Sequence, residues 1–128
     1  MQVQNEFGSL LASREFQWTR EDGVAQLAYV DIGVPYLDPP PDANADAAWG
    51  CKIRTRGLGL DRTVVSYGVD AIQAIYLALA YAGNEVANSI VASRLDWKDV
   101  PNFGFPELPP VPAENAAPPG DPNLQPLP

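Results

Sequence analysis

Alternating polar and apolar positions predict two strands joined by a tight turn near the start of the chain. Residues 14–20 place Phe16 and Trp18 on one face of a strand and polar side chains on the other. Asp22-Gly23 follows at once, a dipeptide that is typical of hairpins because the turn requires a positive φ. Residues 24–36 then have the apolar, β-branched content of a second, longer strand.

Two further strands are predicted after a loop over residues 37–47. Residues 48–56 alternate most regularly, with small or apolar side chains at odd positions and basic side chains at even positions: Trp49, Cys51, Ile53 and Thr55 against Lys52, Arg54 and Arg56. This pattern is typical of a sheet with one buried face and one solvated face. Residues 62–67 predict a fourth strand, and a bulge is expected at Gly33 in the second strand.

A long helix is predicted after the strands. Asp70, with Gln73 three residues later, has the pattern of a helix start in which side chains bond to free backbone amides. The helix is expected from about residue 71 to about residue 94, with one apolar stripe at helical spacing: Ile72, Tyr76, Leu79, Gly83, Val86 and Ile90. The order of elements predicts an α+β fold, in which a four-stranded antiparallel meander packs against one long C-terminal helix and a Pro-rich tail follows.

Proline content divides the chain. Ten of the 14 prolines lie in residues 101–128, a segment that contains no Lys or Arg. Proline fixes φ and removes a backbone donor, so this segment is predicted to form neither a helix nor a central strand. We therefore predict an N-terminal extension over residues 1–8, a domain over 9–100 and an acidic, Pro-rich tail over 101–128.

The first half of the predicted helix is apolar on every side, whereas a sheet covers only one side of a helix. Ile75, Ala78 and Ala82 lie beside the predicted stripe and are candidates for contact with something other than the sheet. Three covers are open: residues 97–108 of the same chain, a second copy of the chain, or a different protein.

Charge excludes several classes of partner. The chain has 128 residues, with 8 basic and 16 acidic side chains, and a formal net charge of -8. This balance argues against binding to nucleic acid or to an anionic membrane. The first eight residues lack the features of a secretory signal, and the longest apolar run, residues 71–83, is too short to cross a membrane. We expect a cytoplasmic protein.

Catalytic and metal-binding chemistry has few candidate residues. The chain contains no His, the commonest general base and metal ligand, and a single cysteine, Cys51, which we expect to be a small buried side chain. Asp42 and Asp46 have the spacing that begins a calcium loop, but the glycine and the distal glutamate of that loop are missing. The sequence therefore predicts no catalytic residues, no metal site and no cofactor.

Two other groups of residues bear on binding. A basic patch is formed by Lys52, Arg54, Arg56 and Arg62. Such a patch binds an anion or an acidic partner, or it pairs across strands with acids such as Glu15 or Asp31, and cross-strand pairing is the favoured interpretation. Aromatic side chains could line a ligand pocket between the helix and the sheet: Trp18, Trp49, Tyr67 and Tyr76.

The stretch GVDAIQAIYLAL, residues 68–79, follows a strand with Trp49-x-Cys51 and resembles a family of small uncharacterised bacterial proteins. Members of that family have a strand meander followed by a G-x-D-x-x-Q-A-x-x-x-A-L helix, and the resemblance covers residues 13–94. It implies the fold predicted above and no established active site. Small acidic proteins of this kind are similar, by analogy, to immunity proteins that block a toxin.

Negative charge, excess apolar surface and missing catalytic groups favour a non-enzymatic, acidic protein-binding module. Its most concrete form is an immunity-like or antitoxin-like inhibitor of a basic bacterial toxin, because opposite charge speeds association. Asp38, Asp42 and Asp46 share one loop and are predicted to contact that partner. Two alternatives stay open: a homodimeric structural or assembly module that associates through the Ala/Leu-rich helix, and a small-ligand binder or enzyme that uses the aromatic pocket.

Overall fold

A five-stranded antiparallel sheet with one α-helix on one face forms the fold, which confirms the predicted α+β class. The structure is a computed structural model that describes residues 7–39, 47–59 and 61–108. The strands are β1 (Leu10–Thr19), β2 (Ala25–Gly33), β3 (Tyr36–Asp38), β4 (Ala48–Arg56) and β5 (Arg62–Gly68), and the helix is α1 (Ala71–Ala87).

The strands form a meander in which the predicted second strand is divided in two. Both β2 and β3 pair with β4, but the five residues from Ile32 to Tyr36 span only the four residues from Ile53 to Gly50. The extra residue shifts the register, and Pro35 has no amide hydrogen to donate to the ladder. The irregularity therefore falls next to Gly33, where a bulge was predicted, and the strand count is five rather than four.

The alternation of β4 is confirmed. Cys51, Ile53 and Thr55 are buried on the helix-facing side, whereas the basic side chains of the strand lie on the opposite face. Trp49 is half-buried and packs against the core. The two-residue alternation in the sequence therefore predicted correctly which side chains of β4 are buried and which lie on the opposite face.

Trp49→Ala is expected to lower the free energy of unfolding by about 1–3 kcal/mol. The expected loss is smaller than the cost of deleting a fully buried ring, because part of the Trp49 side chain stays in water. Leu27→Ala, at a side chain that is 47% exposed, is the control and should change stability by less. Urea unfolding of the two variants measures the difference, and equal midpoints would contradict this placement of Trp49.

Helix α1 begins as predicted and ends earlier. The Asp70 carboxylate accepts a hydrogen bond from the Gln73 amide at 2.8 Å, so Asp70 is the N-cap. The predicted end near residue 94 is wrong, since the helix stops at Ala87 and a short 3₁₀ turn follows at Ala92–Arg94. Asn88 and Ser89 are poor helix formers, and the chain turns there to bring Val91 and Leu95 into the core.

The helix faces the sheet with small side chains. Its core positions are spaced by four residues: Ala74, Ala78, Ala82 and Val86. The predicted stripe is wrong at both ends, because Ile72 is 77% exposed and Ile90 is 85% exposed. Alanines allow the helix backbone to approach the sheet closely: a Cβ atom on Gly68 would stand 2.6 Å from the Ala74 nitrogen. The helix therefore buries the face that lets its backbone come closest to the sheet, and not the face with the largest apolar side chains.

Residues that follow the helix complete the core. Phe103 and Phe105 are buried, and the rings of Trp97 and Phe103 meet Phe16 edge-on with centroids 6.0 and 6.4 Å away. The Arg14 guanidinium lies over the rings of Trp97 and Phe105, at 4.3 and 4.6 Å, and donates to the Phe103 carbonyl. The first residues of the predicted tail are therefore packed against β1.

The same C-terminal segment covers one further side of α1. A Cβ atom on Gly83 would stand 2.5 Å from the Asn102 side chain, and Tyr76 donates a hydrogen bond to the Glu107 carbonyl at 3.1 Å. This side of the helix is therefore covered by a segment of the same chain, which was the first of the three alternatives, and not by a second copy or a different protein. The positions differ from those expected, because Ala78 and Ala82 belong to the sheet-facing core.

Candidate functional site

Two arginines of β4 converge on one buried carboxylate. Asp31 of β2 is 1% exposed and accepts hydrogen bonds from Arg54 Nε at 2.9 Å, Arg56 Nε at 2.8 Å and Ser13 Oγ at 2.7 Å. Burial alone would raise the pKa of Asp31, but the bonds from Arg56, Ser13 and Arg54 outweigh burial and lower it. Cross-strand pairing with Asp31, the favoured interpretation of the basic patch, is confirmed for Arg54 and Arg56.

The arginines of this network are held in place by aromatic rings. The Arg54 guanidinium lies 4.3 Å from the centroid of Phe7, and that of Arg56 lies 4.3 Å from the centroid of Tyr29. Arg62, the fourth basic residue of the predicted patch, instead bonds to Glu85 on α1 at 2.7 Å. These contacts give the patch an internal structural role.

The four aromatic residues predicted to line one pocket are not brought together. Trp18 lies on β1 and Tyr67 on β5, at opposite margins of the sheet, and the two side chains line separate clefts. Trp49 packs against the core, and Tyr76 lies on α1 beside Glu107. The structure therefore provides no common pocket for these side chains.

The acidic residues predicted to bind a partner are described in part. Asp38 ends β3 and accepts a hydrogen bond from the Tyr67 hydroxyl at 2.9 Å, which raises the pKa of Tyr67 to about 12. Asp42 and Asp46 lie outside the described residues. Asp38 is thereby placed beside the end of β5.

The helix residues that were predicted to contact a partner lie mostly in the interior of the protein. Ala78 and Ala82 are fully buried in the core, so they offer no surface to a partner in this fold. Ile75 is half-buried and packs against the same core. The sheet-facing side of α1 is therefore wider than the sequence pattern indicated.

An exposed apolar surface lies where β5 passes into α1. It consists of Val69, Ile72 and Tyr76, within residues 67–76, and we call it the 67–76 patch. Tyr67 is not part of it, because Ser66 faces the helix and Tyr67 therefore turns to the opposite face of the sheet. Val69 is 84% exposed, Ile72 is 77% exposed and Tyr76 is 38% exposed. Ile72 and Tyr76 lie one helical turn apart, and the N-cap Asp70 stands between Val69 and Ile72 in the chain. Large apolar side chains grouped in this way are typical of interaction sites.

Sequence reasoning placed Ile72 and Tyr76 on the buried stripe and gave Val69 no role. One signal could have found the patch. An apolar residue directly before an N-cap often packs against the fourth helical residue, which here is Ala74. Ala74 is small and already buried against the sheet, so Val69 remains in water.

Comparison with known families follows the same boundaries as the fold. The model of the family DUF6968, a domain of unknown function, matches residues 12–107. The chain belongs to this family. No curated protein and no solved structure matches the chain. The DUF6968 match begins in β1 and includes the C-terminal segment as far as Glu107, in agreement with the packing of Phe103 and Phe105 against β1.

Reactive groups of this DUF6968 domain are few within the described ranges. Cys51 is buried, donates a hydrogen bond from its thiol to the Gly33 carbonyl at 3.3 Å, and has a pKa raised by burial, so the thiolate is disfavoured. The described residues contain no group of three or more Asp, Glu or Cys side chains placed to hold a metal ion. None of their helices is long and apolar enough to cross a membrane.

Proposed function

We propose that this DUF6968 domain is a non-enzymatic, acidic module that binds another protein in the cytoplasm. In its most concrete form it is an immunity-like or antitoxin-like inhibitor of a basic bacterial toxin. The observation that supports this proposal is the 67–76 patch, in which Val69 and Ile72 are exposed on either side of the acidic N-cap Asp70 in the chain. A protein partner would remove these apolar side chains from water.

Charge supports a basic partner. The chain carries a formal net charge of -8, and Asp70 adjoins Val69 in the patch. Opposite charge accelerates encounter, while apolar anchors at the centre of an interface supply most of the affinity. An apolar patch that adjoins an acidic side chain therefore suits a basic protein that presents an apolar side chain.

Ile72→Lys is expected to weaken partner binding by about 10- to 30-fold, because it places a charge at the centre of the interface. Ile90→Lys is the matched control, since Ile90 is the same residue type, 85% exposed and outside the patch. The partner is captured on full-length protein from the native host, identified by mass spectrometry and titrated against both variants.

Salt dependence tests the charge of the partner. The association rate should fall markedly as the salt concentration rises, and reversal of Asp38, Asp42 and Asp46 to Lys should lower it further. A partner that binds Ile72→Lys and Ile90→Lys equally well would overturn the proposed site. An isolated partner that turns over a substrate only in complex with this chain would overturn the non-enzymatic proposal.

A further inference from the structure

The two margins of the sheet differ in the part of the chain that the structure describes. At the β1 margin, Asp96 bonds to both backbone groups of Gln17: its amide donates to the Gln17 carbonyl at 3.0 Å, and its carboxylate accepts from the Gln17 amide at 3.1 Å. At the other margin, β5 pairs with β4 alone among the described strands. Asp96 thus occupies the β1 margin at Gln17, whereas none of the described residues adds a strand beyond β5.

Apart from Arg62 at its start, which pairs with Glu85 of α1, the sequence of β5 carries none of the usual protection of an edge strand. From Thr63 to Gly68 it contains no charged residue and no proline, and three of its residues are β-branched. Natural edge strands are normally guarded by charges, prolines or bulges, because their free backbone groups otherwise pair with another strand. An open edge of this composition is suited to strand addition.

A groove lies directly beside this edge. Its volume is about 550 Å³, and Ser66 of β5 lines it together with the α1 residues Leu77, Ala80, Tyr81 and Asn84. Asn102, Glu107 and Leu108 form the far wall. Asn102 holds that wall in place by donating to the carbonyls of Phe105 and Pro106, at 3.0 and 2.9 Å.

The position of the groove relates it to the open edge. Ser66 stands opposite Cys51 in the sheet, and Cys51 points into the core, so Ser66 is on the helix-facing side of β5. Side chains alternate along a strand, so every second side chain of a strand added to β5 would point to the helix side. Those side chains would enter the groove, whose floor of Leu77 and Ala80 is apolar.

We propose that β5 accepts an extended segment of a partner protein as a sixth strand, with alternate apolar side chains of that segment in the groove. The proposal rests on the proposed protein-binding function and names its mode, in which backbone bonds to β5 give affinity and the groove selects side chains. Glu107 in the groove wall and the net charge of -8 favour a segment with basic flanks.

Two other occupants fit the same edge less well. In residues 109–128, which follow the groove wall, eight of the 20 residues are proline and lack the amide hydrogen that a strand donates. If a second copy of the chain paired with β5 through its own β5, the two concave grooves would face each other and neither would be filled. The two chains, each with a charge of -8, would also repel each other. An extended, basic segment avoids both difficulties.

The test uses full-length protein labelled with ¹⁵N and a blocked peptide of sequence Lys-Val-Thr-Val-Thr-Val-Lys. At peptide concentrations up to about 1 mM, NMR is expected to show shifts centred on the amides of β5. The β5 amides that point away from β4 should also exchange with solvent about tenfold more slowly. The control is the same peptide with its five central amides N-methylated, which keeps the side chains and removes the donors. Equal binding of both peptides, or no shift at β5, would overturn the proposal.

Groove variants provide the second arm. Asn84→Trp fills the groove from an exposed helix position and is expected to weaken peptide binding by at least about fivefold, whereas Ala87→Trp lies on the same helix outside the groove and should leave binding unchanged. Equal binding to both variants would overturn the role of the groove. Protection, in the free protein, of the β5 amides that point away from β4 would show that another segment or a second copy already occupies the edge, and it would overturn the proposal.

This result is separable from the proposed function. One possible result is that the captured partner fails to bind Ile72→Lys, yet leaves the exchange of the β5 amides unchanged when it binds the wild-type protein. That result would support the binding function and overturn strand addition. Peptide binding at β5 with unchanged capture by Ile72→Lys would sustain strand addition and overturn the 67–76 patch as the contact site.

Discussion

A chain that ends at Asp96 is expected to lose more than about 5 kcal/mol of unfolding free energy, enough to abolish cooperative unfolding in many small domains. The shortened chain lacks Trp97, Phe103 and Phe105, two of which are buried and all of which pack against Phe16 or Arg14. Deleting a single large buried aromatic side chain usually costs about 3–5 kcal/mol. Urea unfolding followed by circular dichroism and fluorescence measures the effect.

The control for this experiment is a chain that ends at Leu108, which keeps every contact of the C-terminal segment described above. It should unfold cooperatively at a much higher urea concentration than the chain that ends at Asp96. Similar midpoints for the two shortened chains would show that residues 97–108 are not part of the folded core.

Asp31→Asn is expected to lower the free energy of unfolding by about 2–4 kcal/mol at pH 7. Removing one partner of a buried ion pair usually costs about 3–5 kcal/mol, and the partial exposure of Arg54 and Arg56 reduces that figure here. Asparagine keeps the shape of the side chain and loses the charge that both guanidinium groups face.

The loss should depend on pH in a defined direction. The pKa of Asp31 is lowered in the folded protein, so its charge stabilises the fold above the unfolded-state pKa, which is near 3.9. That stabilisation is lost as the pH falls from about 4 through the lower, folded-state pKa. The stability difference between wild type and Asp31→Asn should therefore be constant near neutral pH and shrink below about pH 4.

Asp99→Asn is the matched control, because the Asp99 side chain is 90% exposed and bonds only to Lys98 among the described residues. Its stability should stay within about 0.5 kcal/mol of wild type at every pH. A loss on Asp31→Asn that persists undiminished at pH 3 would point to packing rather than to charge.

Local patterns predicted the elements that local chemistry controls. The alternation of β4 placed Cys51 and Ile53 inside because a strand turns every second side chain to the same face. The Asp22-Gly23 turn is present, with a φ of 88° at Gly23. Asp70 caps α1 because its carboxylate reaches an amide that lies within the same turn of helix.

Predictions that required knowledge of distant partners were wrong or incomplete. Ile72 and Ile90 share the spacing of a buried stripe, yet the sheet selected Ala74 and Ala78, which let the helix approach closely. The contact residues Ala78 and Ala82 were assigned to a second cover for the same reason. Nothing local distinguishes one apolar face of an Ala/Leu-rich helix from another.

The features of the candidate site also divide into those that the sequence predicts and those that only the fold creates. Acidic charge is a property of composition, whereas the loop predicted over residues 37–47 from its prolines begins too early, because Leu37 and Asp38 pair with β4 as part of β3. The 67–76 patch is a property of the fold, since the helix buries Ala74 against the sheet and leaves Val69 and Ile72 exposed. The groove beside β5 requires residues 102–108 to return across the helix, and no pattern in the chain specifies that path.

The sequence alone determined the α+β class, the faces of β4, the first turn and the start of the helix, because each depends on residues within a few positions of one another. Tertiary structure alone decided which side of α1 is buried, where the chain returns after the helix and which sheet margin stays open. Those outcomes depend on contacts such as Arg14 with Trp97 and Gln17 with Asp96, which lie some 80 residues apart in the chain and become neighbours only in the folded protein.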